Sequence, residues 1–190
     1  MTAQETSDAS AKVEVSSTTV KQPKFRLFVG PVTANNVNQL RLLNTTLFPV
    51  RYDKKFYADC VQNGETICQM GYFNDICVAS ICCRYQKQEP QEQVDSVDAL
   101  YIMTLGVLAP YKRLGLGRKM LQHLLTNCTP KQRVFLHMST VNTDARAFYE
   151  HCNFKVVETL PGYYKRNVLN DGGDGSAWLL EYIVPLDATV

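Results

Sequence analysis

The chain has 190 residues, of which 45% are hydrophobic, and a formal net charge of +2 at pH 7. This length and composition are typical of one domain with a full hydrophobic core. The net charge is too small to indicate nucleic-acid binding by itself. No run of about 18 apolar residues is present, so no membrane span is predicted, and the polar N-terminus lacks the apolar core of a signal peptide.

Cysteine usage predicts a reduced protein. The chain has seven cysteines, which is an odd number, with no CxxC pair and only three histidines. We therefore interpret the cysteines as reduced core thiols of a cytosolic protein rather than as disulfides or metal ligands, and we predict no metal site. The expected location is cytoplasmic, and a nuclear one stays open.

The N-terminal part predicts a tail, a strand and two helices. Residues 1–24 are rich in Ser, Thr, Ala and Gln with little apolar periodicity, so we expect a disordered tail before a domain over residues 25–190. Residues 25–29 alternate as a first strand. Thr33 is the predicted N-cap of a helix that stops before Pro49. Asp53 begins a second short helix, so residues 48–52 form the loop between the two helices.

The central part predicts a hairpin, a buried strand and a helix. Residues 67–73 and 76–85 are apolar and β-rich, and the Asn74-Asp75 pair between them indicates a tight turn. Residues 86–98 are polar and acidic, as in a surface loop. Residues 100–107 are almost continuously apolar, which is typical of a strand buried on both faces. Pro110 ends this strand, and apolar residues recur at helical spacing from Leu116 onward.

The C-terminal part completes the predicted order of elements. Residues 133–140 predict another buried strand, and Asn142 is a candidate cap for a helix with one apolar face. Residues 154–160 and 177–184 predict the last two strands. The order β-α-α-β-β-β-α-β-α-β-β, without a repeat or a second domain, predicts an α/β protein of the mixed α+β kind. Its single mixed sheet is flanked by helices on both faces.

The junction between the buried strand and its helix is a candidate anion site. Its sequence is Lys112-Arg113-Leu114-Gly115-Leu116-Gly117. Backbone N–H groups in the first turn of a helix have no intrahelical partner, and glycines let an anion approach them closely. The junction matches neither the dinucleotide fingerprint nor the P-loop. Taken alone, it is equally a helix-entry loop with solvated basic residues.

The junction resembles the acetyl-CoA site of the GNAT superfamily of N-acetyltransferases, whose pattern is [Q/R]-x-x-G-x-[G/A]. Four further segments resemble its N-terminal protein acetyltransferases of the NatE type: FPVRY at 48–52, YFND at 72–75, YIMTLG at 101–106 and YYKR at 163–166. The resemblance covers residues 25–166. It implies the GNAT acyl-CoA N-acyltransferase fold, acetyl-CoA as cosubstrate and an N-terminal peptide as acceptor. Lys112 stands where the superfamily has Gln or Arg, which keeps the charge.

The resemblance also implies which residues bind the cosubstrate. Asn142 and Tyr149 belong to the second predicted helix, where by themselves they are equally a cap and a core residue. In the family, the matching positions contact coenzyme A, and the tyrosine can protonate the departing thiolate. The implied cosubstrate-binding residues are Leu105, Gly106, Val107, Lys112, Arg113, Leu114, Gly115, Leu116, Gly117, Arg118, Asn142 and Tyr149.

A tyrosine and a histidine are the candidate catalytic pair. Alternation predicts one face carrying Tyr101, Met103, Leu105 and Val107, and one carrying Phe135, His137 and Ser139 on the next strand. If these strands are neighbours, Tyr101 and His137 face one cavity. Alone, they are equally a core tyrosine and a hydrogen-bonded histidine. The resemblance implies that they act as the base machinery.

The chemistry required of this pair is modest. A peptide α-amino group has a pKa of about 8, and a histidine with a pKa of about 6.5 can take its proton through a water. Tyrosine, with a pKa of about 10, is better suited to orienting that water. Backbone N–H groups near residues 105–107 are candidates to stabilise the oxyanion. We predict direct attack without an acyl-enzyme, since no cysteine occupies an evident nucleophile position.

Two loops rich in aromatic residues, at residues 48–52 and 163–166, are the predicted walls of the peptide pocket. Apolar Val50 favours an apolar first side chain, and a flexible methionine fits such a wall. The resemblance implies an N-terminal Met followed by an apolar residue. Departures from the family pattern are Arg51 in the first loop, Asn167 after YYKR, and an insertion over residues 167–177. The predicted substrate-binding residues are Phe48, Pro49, Val50, Tyr52, Met103, Val107, Tyr163, Tyr164, Lys165 and Arg166.

Two alternatives stay open at this stage. The first is a lysine or small-amine acetyltransferase, which an acidic amine groove would favour. The second is a catalytically silent subunit of an N-terminal acetyltransferase complex, against which the Tyr101 and His137 pair argues. The expected partners are N-terminal peptides of nascent or finished proteins and the NatA complex at the ribosome, with neither nucleic acid nor a membrane span.

Overall fold

The computed structural model describes residues 25–62, 64–87, 98–164 and 172–186. Within these ranges the order of strands and α-helices is the predicted one, with a short 3-10 helix (Ala109–Tyr111) before the third α-helix. The strands are β1 (Leu27–Pro31), β2 (Thr66–Phe73), β3 (Ile76–Gln86), β4 (Ala99–Val107), β5 (Arg133–Ser139), β6 (Lys155–Leu160) and β7 (Ala177–Ile183). The helices are α1 (Val37–Leu47), α2 (Lys54–Asp59), α3 (Leu116–Thr126) and α4 (Thr143–His151).

Several predictions fall outside the described residues. They concern the disordered tail, most of the acidic loop after β3, and the first part of the insertion before β7. The residues concerned are 1–24, 88–97, Lys165, Arg166, Asn167 and 168–171.

The strands form one mixed sheet in the order β1-β2-β3-β4-β5-β7-β6. The β4–β5 pair is parallel, and the other neighbours are antiparallel. Side chains of α3 and α4 pack on one face, in a core that contains Leu121 and Tyr149. Side chains of α1 and α2 pack on the other face, in a smaller cluster that contains Leu40. The predicted mixed sheet with helices on both faces is confirmed.

The first strand and the first helix begin at other residues than predicted. β1 begins at Leu27, where its pairing with Phe73 begins, and Phe25 stacks on Phe73 at 5.4 Å outside the ladder. The N-cap position of α1 is Asn36, so Thr33 as the cap was wrong. The Thr33 carbonyl instead accepts from Val37 N at 3.0 Å, in a turn that precedes the helix.

Other local predictions are confirmed. Asp53 caps α2 by accepting from Phe56 N at 2.8 Å. Asn142 caps α4 by accepting from Ala145 N at 3.2 Å. The turn between β2 and β3 has positive φ at both central residues, Asn74 and Asp75. This is the geometry for which Asn and Asp are favoured in two-residue hairpins.

A β-bulge in β4 reverses the alternation of its side chains. Cys83 pairs with Ile102 and Cys82 with Thr104, which leaves Met103 as the extra residue. Leu105 and Val107 therefore pack against the α3–α4 core, whereas Met103 packs in the α1–α2 cluster. The prediction that Tyr101, Met103, Leu105 and Val107 share one face was wrong for Leu105 and Val107.

The sheet opens between β4 and β5. In the described part of the chain these strands pair only at Leu100 with Val134 and Tyr101 with Phe135, whereas β5 pairs with β7 along its whole length. Beyond Tyr101 the two strands separate, and the β4 backbone no longer pairs with β5. A cleft thus begins beside Tyr101 and runs toward the C-terminal end of β4. Among the described helices, none is long and apolar enough to cross a membrane.

Candidate active site

The N-terminus of α3 forms the predicted anion cradle. Gly115 occupies the N-cap position with φ +82°, and among the described residues no side chain caps this end. A Cβ placed on Gly115 would meet no described atom within 4 Å, so the backbone is open to approach. Lys112 and Arg113 are exposed beside it, and Arg113 also has positive φ. Open amides and two cations suit a pyrophosphate group.

The cradle adjoins the cleft between β4 and β5. A Cβ placed on Gly117 would lie 3.6 Å from Val107 Cγ2 and 3.6 Å from Phe148 Cε2. The first turn of α3, the end of β4 and helix α4 therefore meet at one point. A separate cleft of about 600 Å³ between α3, α4 and β7 is lined by Arg118, among others. Arg118, a predicted cosubstrate-binding residue, thus borders this second cleft.

Tyr149 lies in the hydrophobic core. Its ring is 5.1 Å from that of Phe148 and 5.3 Å from that of Phe154, and only 6% of the residue is exposed. Burial raises the pKa of its hydroxyl, which makes the group a weaker proton donor. Its predicted role in protonating the departing thiolate stays a prediction, as does the contact of Asn142 with coenzyme A.

Tyr101 and His137 face the same space at the mouth of the cleft. Their ring centroids are 5.7 Å apart, and the Phe135 ring lies 5.1 Å from Tyr101. The His137 ring is stacked on that of Tyr163 at 4.4 Å with an interplanar angle of 13°. Residues from β4, β5 and the loop after β6 thus converge at this point.

His137 is suited to accept a proton. Burial lowers its pKa below the ordinary value, the Arg133 cation lowers it further, and Glu158 acts in the opposite direction. The imidazole is therefore neutral at pH 7. Its Nδ1 atom is buried and has no hydrogen-bond partner among the described residues. A buried nitrogen of this kind is a ready site for a bridging water.

Tyr101 and Tyr52 keep their protons at neutral pH. Burial raises the pKa of Tyr101, and the charge of Tyr163 and a hydrogen bond with Tyr163 raise it further. Burial, followed by nearby Cys82 and Tyr57, raises the pKa of Tyr52 to about 12. These hydroxyls are therefore hydrogen-bonding groups at neutral pH and are poor bases.

The loop between α1 and α2 covers the open part of β4. A Cβ on Gly106 would lie 2.9 Å from both Leu47 Cδ1 and Phe48 Cζ, so this loop packs closely on the β4 backbone at the glycine. Phe48 and Val50 are partly buried, whereas Pro49 and Arg51 are exposed. The tight contact at Gly106 was not predicted from the sequence, although the YIMTLG segment contains this glycine.

The structure brings most predicted peptide-site residues to one face. Tyr52 stacks on Phe56 at 4.3 Å, and Tyr163 lies edge-on to Tyr164 at 4.9 Å. Val107 is the exception, because its side chain lies on the α3–α4 face beside Gly117. This position suits the cosubstrate side, and the assignment of Val107 to the peptide site stays a prediction. The influence of Arg133 on His137 also went unpredicted, although both residues lie on β5 and alternation puts them on one face of that strand.

The sheet that opens beside a glycine-capped helix, with aromatic loops over the opening, defines an acyl-CoA N-acyltransferase fold. The chain belongs to the acetyltransferase (GNAT) family, whose sequence profile matches residues 37–154. It is 44% identical over 146 residues to N-alpha-acetyltransferase 50 of Danio rerio, covering 75% of this chain and 83% of that protein. It is 43% identical over 142 residues to "Probable N-acetyltransferase san" of Drosophila melanogaster, covering 73% of each.

A solved structure agrees with these sequence similarities. Arabidopsis thaliana Naa50, in complex with the bisubstrate analogue CoA-Ac-MVNAL, superposes with a TM-score of 0.70 at 37% identity. The superposition covers 82% of this chain and 97% of that one. The predicted fold and the predicted resemblance to the NatE type are confirmed.

Proposed function

We propose that this chain transfers the acetyl group of acetyl-CoA to the α-amino group of peptides. The observation that carries the proposal is the placement of Tyr101 and His137 at one end of a cleft whose other end meets the Gly115 cradle. The similarity to N-alpha-acetyltransferase 50 supports the N-terminal amine as acceptor. Acetyl-CoA is supported by the CoA-containing analogue bound to Arabidopsis Naa50.

The reaction is a direct transfer. The amine nitrogen attacks the thioester carbonyl carbon, and the new C–N bond forms as the carbonyl oxygen becomes negative. Backbone N–H groups of β4 near residues 105–107, where the strand no longer pairs with β5, are the proposed donors to this oxygen. The intermediate then breaks its C–S bond and releases the coenzyme A thiolate. The enzyme contributes proximity of the two reactants and this stabilisation.

His137 removes the proton that the amine loses. The neutral imidazole takes this proton through a water bound at Nδ1, the buried atom without a partner among the described residues. Tyr101, which stays protonated, orients that water as a hydrogen-bond donor. The base and the oxyanion donors are thus groups of this chain, and we propose that the transfer step itself uses no metal ion.

The peptide specificity that we propose is an N-terminal Met followed by an apolar residue. Partly buried Val50 and aromatic Phe48 and Tyr52 line the α1–α2 loop over the cleft. A flexible, apolar methionine side chain suits such a wall. The analogue bound to Arabidopsis Naa50 carries the peptide MVNAL, which begins with Met and Val.

We also propose a protein partner and a cellular location for this chain. The resemblance to the NatE type supports docking on the NatA complex at the ribosome. All seven cysteines lie in described ranges as free thiols, which supports a cytoplasmic location, with a nuclear one also open. Co-sedimentation of the tagged chain with ribosomes and NatA subunits tests the first proposal, and fractionation of cells tests the second.

A peptide panel tests the proposed function. The purified chain and acetyl-CoA are combined with a Met-Leu peptide that contains one internal lysine, and with the same peptide blocked at its α-amine. We expect the acetyl group on the α-amine of the free peptide and no product from the blocked one. Acetylation of the lysine in the blocked peptide would make the chain a lysine acetyltransferase, and no product from either would indicate a silent subunit.

A further inference from the structure

Three buried cysteines converge beneath the peptide site. The sulfur atoms of Cys60, Cys68 and Cys82 all lie within 4.8 Å of one another. These residues are 6%, 8% and 0% exposed, respectively, and all three are free thiols. They are distant in sequence, so the spacing rules that predicted no metal site could not detect them.

The fold explains why the three thiols meet. Cys68 and Cys82 are direct partners in the antiparallel β2–β3 pair, so their side chains share one face of the sheet. Cys60 occupies the C-cap position of α2, the helix that packs on that face. The surrounding side chains include Leu40 and Met70, which are fully buried. The three-thiol cluster therefore lies in an enclosed, sulfur-rich interior.

Two polar side chains beside the three-thiol cluster have spare hydrogen-bond donors. Asn44 Nδ2 and Thr104 Oγ1 are buried and have no hydrogen-bond partner among the described residues. Asn44 Oδ1 accepts from Ser80 Oγ at 3.1 Å, which leaves the amide nitrogen as the free group. Thr104 is the β4 partner of Cys82, and the Asn44 side chain also acts on the Cys82 thiol, so both donors lie close to this sulfur. These donors can stabilise a negative sulfur in an otherwise apolar site.

The composition of the site selects the kind of ion. Three sulfurs without an imidazole or a carboxylate form a soft ligand set. Zinc is almost always four-coordinate and would need a further ligand. Monovalent copper prefers thiolate and thioether ligands and accepts three of them.

We propose that Cys60, Cys68 and Cys82 form a three-coordinate binding site for Cu(I). Each sulfur that binds the ion exchanges its S–H bond for an S–Cu bond and releases the proton to solvent. Copper stays monovalent, and no thiol is oxidised. The resulting negative charge is stabilised by the donors of Asn44 and Thr104. The ion would join α2, and with it the peptide-binding loop that precedes Asp53, to β2 and β3.

The test is an anaerobic titration of the reduced full chain with Cu(I) in competition with a chromophoric Cu(I) chelator. We expect one equivalent to bind, with thiolate-to-copper charge-transfer absorption and a higher Tm. Cys60→Ala and Cys82→Ala should each weaken Cu(I) binding by about 100-fold or more, because a ligand is lost. The matched control is Cys83→Ala, since Cys83 is equally buried but packs in the core on the opposite face. It should bind like the wild type.

Three outcomes of this titration would overturn the proposal. These outcomes are a wild-type chain that takes up no Cu(I), a Cys82→Ala variant that binds unchanged, and a chain that takes Zn²⁺ but not Cu(I) in a parallel titration. Should a variant fail to fold, X-ray absorption of the copper-loaded wild type decides the matter. Three sulfur neighbours support the site, and two-coordinate copper or a nitrogen or oxygen neighbour rejects it. Since no assay here uses acetyl transfer, failure of the proposed enzymatic function would leave this result unaffected.

Discussion

The two faces of the sheet differ in the kinds of side chain that they bury as well as in their proposed roles. The α3–α4 face buries a continuous core of aliphatic side chains, among them Leu100, Leu121, Leu124 and Leu180. The α1–α2 face is thinner and contains cysteines and buried polar groups such as Asn44 and Thr104.

This difference has a physical reason. In the proposed function, acetyl-CoA binds to backbone amides at the start of α3, which requires the α3–α4 face to hold this helix rigidly against β2. A Cβ on Gly71 would lie 2.7 Å from Met120 Sδ, which shows how closely that helix packs. The proposed proton transfer and peptide selection instead use side chains, which is consistent with the polar groups that the α1–α2 face keeps near the cleft. The following predictions test this division, from the largest expected effect to the smallest.

The cosubstrate side is most sensitive at Gly115. We expect Gly115→Asp to weaken acetyl-CoA binding by roughly 100-fold or more, because a carboxylate at the cradle repels pyrophosphate. The overall fold should persist, since the position is open. Calorimetry measures the affinity. Gly115→Asn is the control, because Asn tolerates positive φ and carries no charge. Unchanged affinity in a folded Asp variant would reject the cradle.

Substitutions in the catalytic pair should lower turnover and leave the affinity for acetyl-CoA little changed. His137→Ala is expected to lower kcat by roughly 100-fold or more, with acetyl-CoA affinity little changed, because only the base is removed. Tyr101→Phe should also slow turnover, since it removes the hydroxyl alone. His123→Ala, an exposed histidine on α3, serves as the control. Near-normal kcat in both site variants would mean that the pair is structural.

Peptide selection should follow the apolar wall at Val50. We expect kcat/KM for a Met-Leu peptide to exceed that for Asp-Asp and Ser-Glu peptides by about 100-fold, because burying an unpaired carboxylate is costly. Arg51, which could reverse this preference, is exposed in the structure. An acidic peptide acetylated as well as Met-Leu would mean that the pocket assignment is wrong, and Arg51 would be the next residue to mutate. Arg51→Ala should then restore the preference for Met.

The smallest expected effect is a shift in pH dependence. Neutral His137 is the active form and its pKa is lowered, so kcat should fall only as pH drops below about 6.5. Arg133→Met removes the cation that lowers this pKa and frees the Glu181 carboxylate that Arg133 binds, so the acidic limb should move to higher pH. Arg146→Met, which removes a paired arginine stacked on Trp178, is the control. An unmoved limb would mean that His137 is not the titrating base.

Much of this molecule could be predicted from the sequence, because local chemistry determines it. Caps such as Asp53 and Asn142 act over three residues, and apolar periodicity reports which side of a helix is buried. The glycine junction is equally local, since its open amides belong to one turn of α3. The order of the elements, the glycine junction at residues 112–117 and the shared face of Tyr101 and His137 could be predicted from such signals.

Only the tertiary structure decided the remainder. Alternation cannot reveal the bulge at Met103, because the extra residue arises from the pairing of β4 with β3, and it moved Val107 to the other face. The three-thiol cluster is the clearest case. Cys60, Cys68 and Cys82 have no shared spacing in the sequence, and they meet because strand pairing and helix docking bring three elements to one buried point.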